Sequence, residues 1–306
     1  MSCRVSGFIF FILLIQHVTV RGQQQPHFTQ YLFSGLVINP AYAGADEVLS
    51  ATFIDRHQWL GLEGAPNTQT LALHALTKRK RVGLGLLVSR DEIGVHQNLS
   101  AQFSYAYHLP VSRQGILSFG LQGGVLHLRA DYNKLVTNSA PDPRLAGYFL
   151  NEIYASVGTG IYFRNKKLEL GFSMPELLPK ASAINDSTTL NFKNLNAFAF
   201  ARYHLDLSPA WVLEPGLLLK RYGNLPVSFE NTWAITFKEV LTTGLTYRLR
   251  ESIGLLMRAK LTPQFNMGYA YDYPLPANLR TFSPSHEIML QYRFSYNQSG
   301  IKSPRL

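Results

Sequence analysis

The chain of 306 residues has a single cysteine, Cys3, and it stands ahead of the first apolar run. That excludes a disulfide framework, and also a lipoprotein signal, whose cysteine would lie at the cleavage site. An exported chain without thiols must be held by its own core or by a membrane. Long apolar runs are scarce as well. After Ile15 nothing approaches the ~18 consecutive apolar residues of a membrane-spanning helix, so any crossing falls to strands. Charged residues are only 16% of the chain and aromatics reach 12%, against ~25% charged in ordinary soluble domains. Few charges with many aromatics is the balance of a surface that faces lipid. The 29 Lys and Arg outnumber 19 Asp and Glu, but they are scattered over turns, which argues against nucleic acid as a partner. The nine His are dispersed, and Asp55 with His57 is only an i, i+2 pair, so no metal spacing and no cofactor are implied.

What is present begins with a leader. Met1 to Arg4 is a short cationic start and Val5 to Ile15 an apolar run, too short to cross a ~30 Å hydrocarbon core as a helix. It reads as a signal peptide over residues 1–22, cleaved after Gly22 with Val20 near the cut, so that Gln23 opens the exported chain.

Beyond it the dominant signal is period-two alternation in segments of about ten residues, the length a tilted strand needs to cross a bilayer. Ile288, Leu290, Tyr292 and Phe294 alternate with Glu287, Met289, Gln291 and Arg293; Phe265, Met267, Tyr269, Tyr271 and Tyr273 alternate with Asn266, Gly268, Ala270 and Asp272. Leu117, Phe119 and Leu121 against Ser118, Gly120 and Gln122 repeat it. A soluble sandwich would carry Lys, Glu and Thr on its outer face. Here the polar side is Gly, Ser, Thr, Asn and Gln, which suits the crowded, wet interior of a closed barrel. Segments begin near Glu47, Gln69, Val82, Asn98, Ile116, Glu152, Lys167, Asn194, Ala210, Val227, Val240, Ser252, Gln264 and Glu287. Short turns at TKRKR, VSRQG, RNKK, LSPA, FKE and TPQ alternate with long connections, the outer-membrane pattern in which short turns are periplasmic. The expected fold is all-β: a transmembrane antiparallel up-and-down β-barrel of about fourteen strands. Its organisation is a signal peptide (1–22), an N-terminal periplasmic lead (23–46), one outer-membrane barrel (47–295) and a C-terminal tail (296–306).

Catalytic constellations are weak. Ser285, His286 and Glu287 adjoin, but neighbours on a strand point to opposite faces and cannot share a reaction centre without a bend. GLG at Gly83 to Gly85 and GLQGG at Gly120 to Gly124 lie inside alternating segments and precede no helix, so they read as room inside a barrel rather than phosphate cradles. Lys78 to Arg81 reads as a solvated hairpin end that could pair with a partner's carboxylates.

The segment behind the leader carries more information. PHFTQYLFSGLVINPAYAG, Pro26 to Gly44, followed by RHQWLGLEGAP, Arg56 to Pro66, resembles the opening signature of the PorP/SprF family of the Bacteroidota type IX secretion and gliding system. The stretch from Gly268 to Phe294 is similar to that family's closing strands. The resemblance implies a non-enzymatic outer-membrane barrel that assists secretion or surface attachment of cargo. Implied partners are the translocon, periplasmic ring or cell-wall-linked subunits, a secreted adhesin with a C-terminal sorting domain, and outer-membrane lipid. Carried over by motif, Asn39, Pro40, Tyr42, Gly44, Arg56, Gln58, Trp59, Gly61 and Pro66 are expected to shape a family-specific surface. The competing reading is that they build the first hairpin and plug part of the lumen. Two other functions remain open at this point: a passive diffusion porin, and a membrane-embedded hydrolase.

Overall fold

The computed structural model describes residues 28–78, 81–134, 149–178, 195–223, 225–276 and 283–294. The expected leader, the first five residues after it and the tail lie outside the described residues. Fifteen strand segments follow in order: β1 (Leu49–His57), β2 (Asn67–Leu76), β3 (Val82–Ile93), β4 (His96–Pro110), β5 (Ile116–Asp131), β6 (Phe149–Arg164), β7 (Leu168–Met174), β8 (Ala197–Tyr203), β9 (Leu205–Ser208), β10 (Trp211–Arg221), β11 (Ser228–Phe237), β12 (Leu241–Arg248), β13 (Ser252–Lys260), β14 (Phe265–Pro274) and β15 (Ser285–Phe294). Each pairs antiparallel with its neighbours, and β15 closes on β1 from Leu49 opposite Phe294 to His57 opposite His286. Closure leaves no free sheet edge for another chain to pair with.

β8 and β9 are one strand interrupted at His204, because both pair with β10. The barrel therefore has fourteen staves. The interruption has a local cause. The unpaired step lies between Gly216 opposite Arg202 and Leu213 opposite Leu205, and on β10 it holds Glu214 and Pro215, the latter with no N–H to give a ladder. On the other side of His204 the ladder holds: its amide donates to the Lys167 carbonyl at 2.7 Å, one step beyond the Leu168–Tyr203 pair of β7 and β8.

Alternation sorts the faces as the sequence pattern predicts. Phe103, Leu121, Ile161, Trp233, Leu245 and Leu255 are exposed on the outside. Ser104, Ser118, Thr232, Thr246, Glu287 and Gln291 are buried within. No helix among the described residues is long and apolar enough to cross a membrane; the strands make the crossing, and the protein is an outer-membrane β-barrel. At the end where β1 begins and β15 finishes every connection is short, and the long connections lie at the other, which also carries two short turns, Gly94-Val95 between β3 and β4 and Leu249 to Glu251 between β12 and β13; the expected alternation of short and long fails at those two.

Candidate functional site

The interior is occupied by the chain itself. Residues 29–46 are buried, except half-buried Val37, and they run through the lumen as three short 3-10 turns, Thr29–Phe33, Gly35–Val37 and Pro40–Tyr42. The segment expected as a lead outside the barrel thus lies inside it. Its turns pair part of the backbone internally, from Ser34 donating to Tyr31 to Ala45 donating to Tyr42, and each buried amide or carbonyl left over must find a partner. The wall supplies them. Arg202 donates to the Leu32 carbonyl at 2.8 Å, Gln291 to that of Phe33 at 3.1 Å, Ser173 to that of Ile38 at 2.5 Å and His108 to that of Ala43 at 2.9 Å. The Gly44 amide donates to His74 Nδ1 at 3.2 Å. These partners stand on β8, β15, β7, β4 and β2, so the lead is held from all round the barrel.

Its second half lies in a trough. Gly83, Ala106, Gly120, Gly160 and Ser173 are direct cross-strand partners in register from β3 to β7. Residues 38–43 run along this row of small side chains. A Cβ on Gly120 would stand 2.2 Å from the Ala41 amide nitrogen, and one on Gly83 would stand 1.9 Å from the Ala43 carbonyl oxygen. Only a wall without side chains there admits the lead's backbone this closely. Asn39 completes the fit: its Oδ1 accepts from the Ala41 amide at 2.9 Å, capping the last turn, while its Nδ2 donates to the Ile161 carbonyl at 2.9 Å. Pro40 follows at the first position of that turn, where a missing N–H costs nothing. Tyr42 packs between His74 and Tyr162, with ring centroids 5.6 and 5.3 Å away, and donates to Asp46 Oδ1 at 3.1 Å. Gly44 has φ +78°, and a Cβ on it would meet Gly83 Cα at 2.8 Å.

The other end of the lead is clamped by charge near the long-loop mouth. Glu287 accepts from the amides of Thr29 and Gln30 at 2.9 and 2.8 Å and pairs with Arg56 at 3.0 Å. Arg56 also meets Asp272 at 2.7 Å, and Asp272 pairs with Arg248 at 3.2 Å. Arg248 continues to Glu230 at 2.8 Å, which Lys220 reaches at 3.0 Å. The Thr29 hydroxyl sits at the centre, donating to Asp272 at 2.8 Å and accepting from Arg248 at 2.6 Å. All six charged side chains are under 5% exposed, so the network survives only because its charges pair.

The nine motif residues therefore fall into three places rather than one surface. Asn39, Pro40, Tyr42 and Gly44 belong to the lumen lead, and Arg56 is in the clamp. Gln58, Trp59, Gly61 and Pro66 form the β1–β2 loop at the mouth, where the Gln58 amide donates to the Pro66 carbonyl at 2.9 Å and the Trp59 amide to Ser285 Oγ at 3.3 Å. Trp59 and Gly61 both have positive φ, +46° and +86°. Sequence reasoning missed the wall side of the site: Glu287, Asp272, Arg248, Ser173, His74 and His108 carry no local mark of their partners.

Neither catalytic nor metal chemistry gains from the geometry. Ser285 is buried, whereas His286 faces outward against Tyr269 and Tyr271. Ser118 and His108 do meet at 2.7 Å, but the second ring nitrogen of His108 is spent on Ala43 and both residues are sealed beneath the lead. Among the described residues no three His, Cys, Asp or Glu side chains are placed to hold a metal ion.

Comparison with known proteins gives a family and a fold. The family described as type IX secretion system membrane protein PorP/SprF matches residues 20–292. No curated protein matches the sequence. Among solved structures, the CymD monoaromatic hydrocarbon channel is similar at 13% identity and TM-score 0.54, covering 87% of this chain and 94% of that one. The Ralstonia pickettii toluene transporter TbuX follows at 10% identity and TM-score 0.48, covering 86% of this chain and 94% of that one. At 13% identity the likeness to CymD is one of fold.

Proposed function

Because this chain belongs to the PorP/SprF family of type IX secretion membrane proteins, we propose that it is a non-enzymatic docking component of that system, a stoppered barrel that gathers partners rather than conducting solutes. The observation that carries this reading is the lead: eighteen residues, 29–46, fill the lumen and are bonded to strands on every side of it. The lipid-facing strands fix the protein in the outer membrane. The long loops hold the secreted cargo, such as an adhesin with a C-terminal sorting domain, or the translocon. The short turns face the periplasm and meet ring or wall-linked subunits. At the mouth the β1–β2 loop offers Leu60 and Leu62, 45% and 38% exposed beyond the clamp, as an apolar contact.

Two measurements test it. In planar bilayers the purified barrel is expected to be nearly silent; steady conductance at porin level would favour the diffusion reading that the polar inner face also supports. In cross-linked native cells, the tagged protein is expected to recover translocon, ring or adhesin subunits. A Leu60→Asn, Leu62→Asn variant of equal membrane abundance should lose the subunits held at the mouth. If wild type recovers none, the docking role fails.

A further inference from the structure

Charge is distributed unevenly between the two ends of the barrel. At the short-turn end Lys78, Arg81, Arg113, Lys166, Lys167 and Lys238 are exposed, and Arg79 and Lys80 belong to the same sequence turn as the first pair. Among the described residues those six form no ion pair, and the acids exposed at that end are Glu239 and Asp206. The long-loop end is mixed instead. There Arg90 pairs with Glu92, and exposed Arg129, Arg221 and Arg250 stand among Glu63, Glu152, Glu176 and Glu251. Among the described residues the cluster of uncompensated positive charge is on the short-turn rim, and it calls for an anionic partner there.

The surroundings of the cations identify its kind. Trp211 and Phe237 point outward to lipid with ring centroids 4.5 Å apart, and Lys238 Nζ lies 5.3 Å from the Phe237 centroid. Tyr107, Tyr203 and Tyr292, each 37–40% exposed, continue this aromatic belt around the same end. Aromatic girdles sit at headgroup level, and a lysine folded over one carries its ammonium into the layer of phosphates while its stem stays on apolar surface. Hairpin ends two strands apart are ~10 Å from each other, so the successive turns that carry Arg81, Arg113 and Lys166–Lys167 present cations side by side along the membrane plane.

We propose that the short-turn rim is a binding site for anionic glycerophospholipid, its phosphates held by Lys166 and Lys167 with Arg113 of the adjoining hairpin, and by Lys238 two hairpins further round. The rim then anchors the barrel at a fixed depth and draws acidic lipid around it, whatever protein it also meets.

The test uses the full-length barrel in nanodiscs holding equal phosphatidylglycerol and phosphatidylcholine, with retained lipid counted by native mass spectrometry. Wild type is expected to retain phosphatidylglycerol preferentially. A Lys166→Gln, Lys167→Gln, Lys238→Gln variant should lose about fivefold in that preference per lysine removed at low salt. An Arg90→Gln, Arg129→Gln, Arg221→Gln control at the other end should keep it. Heat-modifiable gel mobility checks that each barrel is folded. Equal retention of the two lipids by wild type overturns the proposal, as does a preference that survives in the lysine variant or vanishes equally in the control. Wild type without lipid preference but binding an acidic protein through these lysines would assign the rim to protein instead.

Discussion

Glu287 illustrates how single side chains hold the stopper. It has no exposed surface, and its oxygens serve two lead amides and the Arg56 guanidinium. Cutting it back to alanine leaves Arg56 with one acid fewer in a dry site and leaves the Thr29 and Gln30 amides without their acceptor. Glu287→Ala is expected to cost about 3–5 kcal/mol, and Glu287→Gln, which keeps an acceptor oxygen, less. Urea midpoints of the folded barrel in detergent check the order; coincident midpoints would remove the clamp from the account. Gly120 gives the opposite kind of test. In Gly120→Val the new side chain occupies the place of the Ala41 backbone, so the lead cannot seat while the strand pairing is untouched. Conductance should appear in planar bilayers with gel mobility of the barrel unchanged.

As an element, the lead is neither strand nor α-helix: three short 3-10 turns pair part of its backbone and the wall pairs much of the rest. Its sequence bears this out only in part. The Asn39-Pro40 turn start and the freedom needed at Gly44 are visible locally, and Gly83, Gly85 and Gly120 read correctly as room inside a barrel, whereas Gly123 faces outward. What the room is for was not visible, since Gly120 and Gly160 become a trough only when register sets them side by side. Removing residues 29–45 should leave a barrel whose inner face, Ser, Thr, Gln and paired charges, takes water. Ion conductance well above wild type is expected, and a silent deletion variant would mean that something else closes the lumen. The strands themselves were far more legible: all fourteen expected starts fall within about three residues of the observed ones. The break at His204 was missed although Pro215 marks it, because a proline interrupts the ladder of its neighbour, and the neighbour is known only from pairing.

For the whole molecule, the direction of the lead has a topological consequence. Thr29 and Gln30 sit at the level of Arg56, Asp272 and Glu287, near the long-loop mouth, while Glu47 meets Arg164 at 2.9 Å beside a short turn. β15 also ends at the short-turn side. A tag placed directly ahead of Phe28 and a tag after the last strand should therefore be reached from opposite faces of the membrane. On intact cells antibody should bind the first and not the second; labelling of both or neither on the same face would contradict this threading.

Strand number, the lipid and lumen faces, and the short turns of one rim were determined by the sequence by itself; that two connections at the other rim, β3–β4 and β12–β13, are short as well was not. Each of the first three rests on period-two alternation and turn chemistry, which act between residues a few positions apart. The tertiary structure alone decided that the opening motif lies inside the barrel, that Arg56 belongs to a buried clamp and that small residues from five strands make a seat. Thr29 and Glu287 are 258 positions apart along the chain, and such a pair acquires meaning only when closure of the last strand on the first brings both to one point in the lumen.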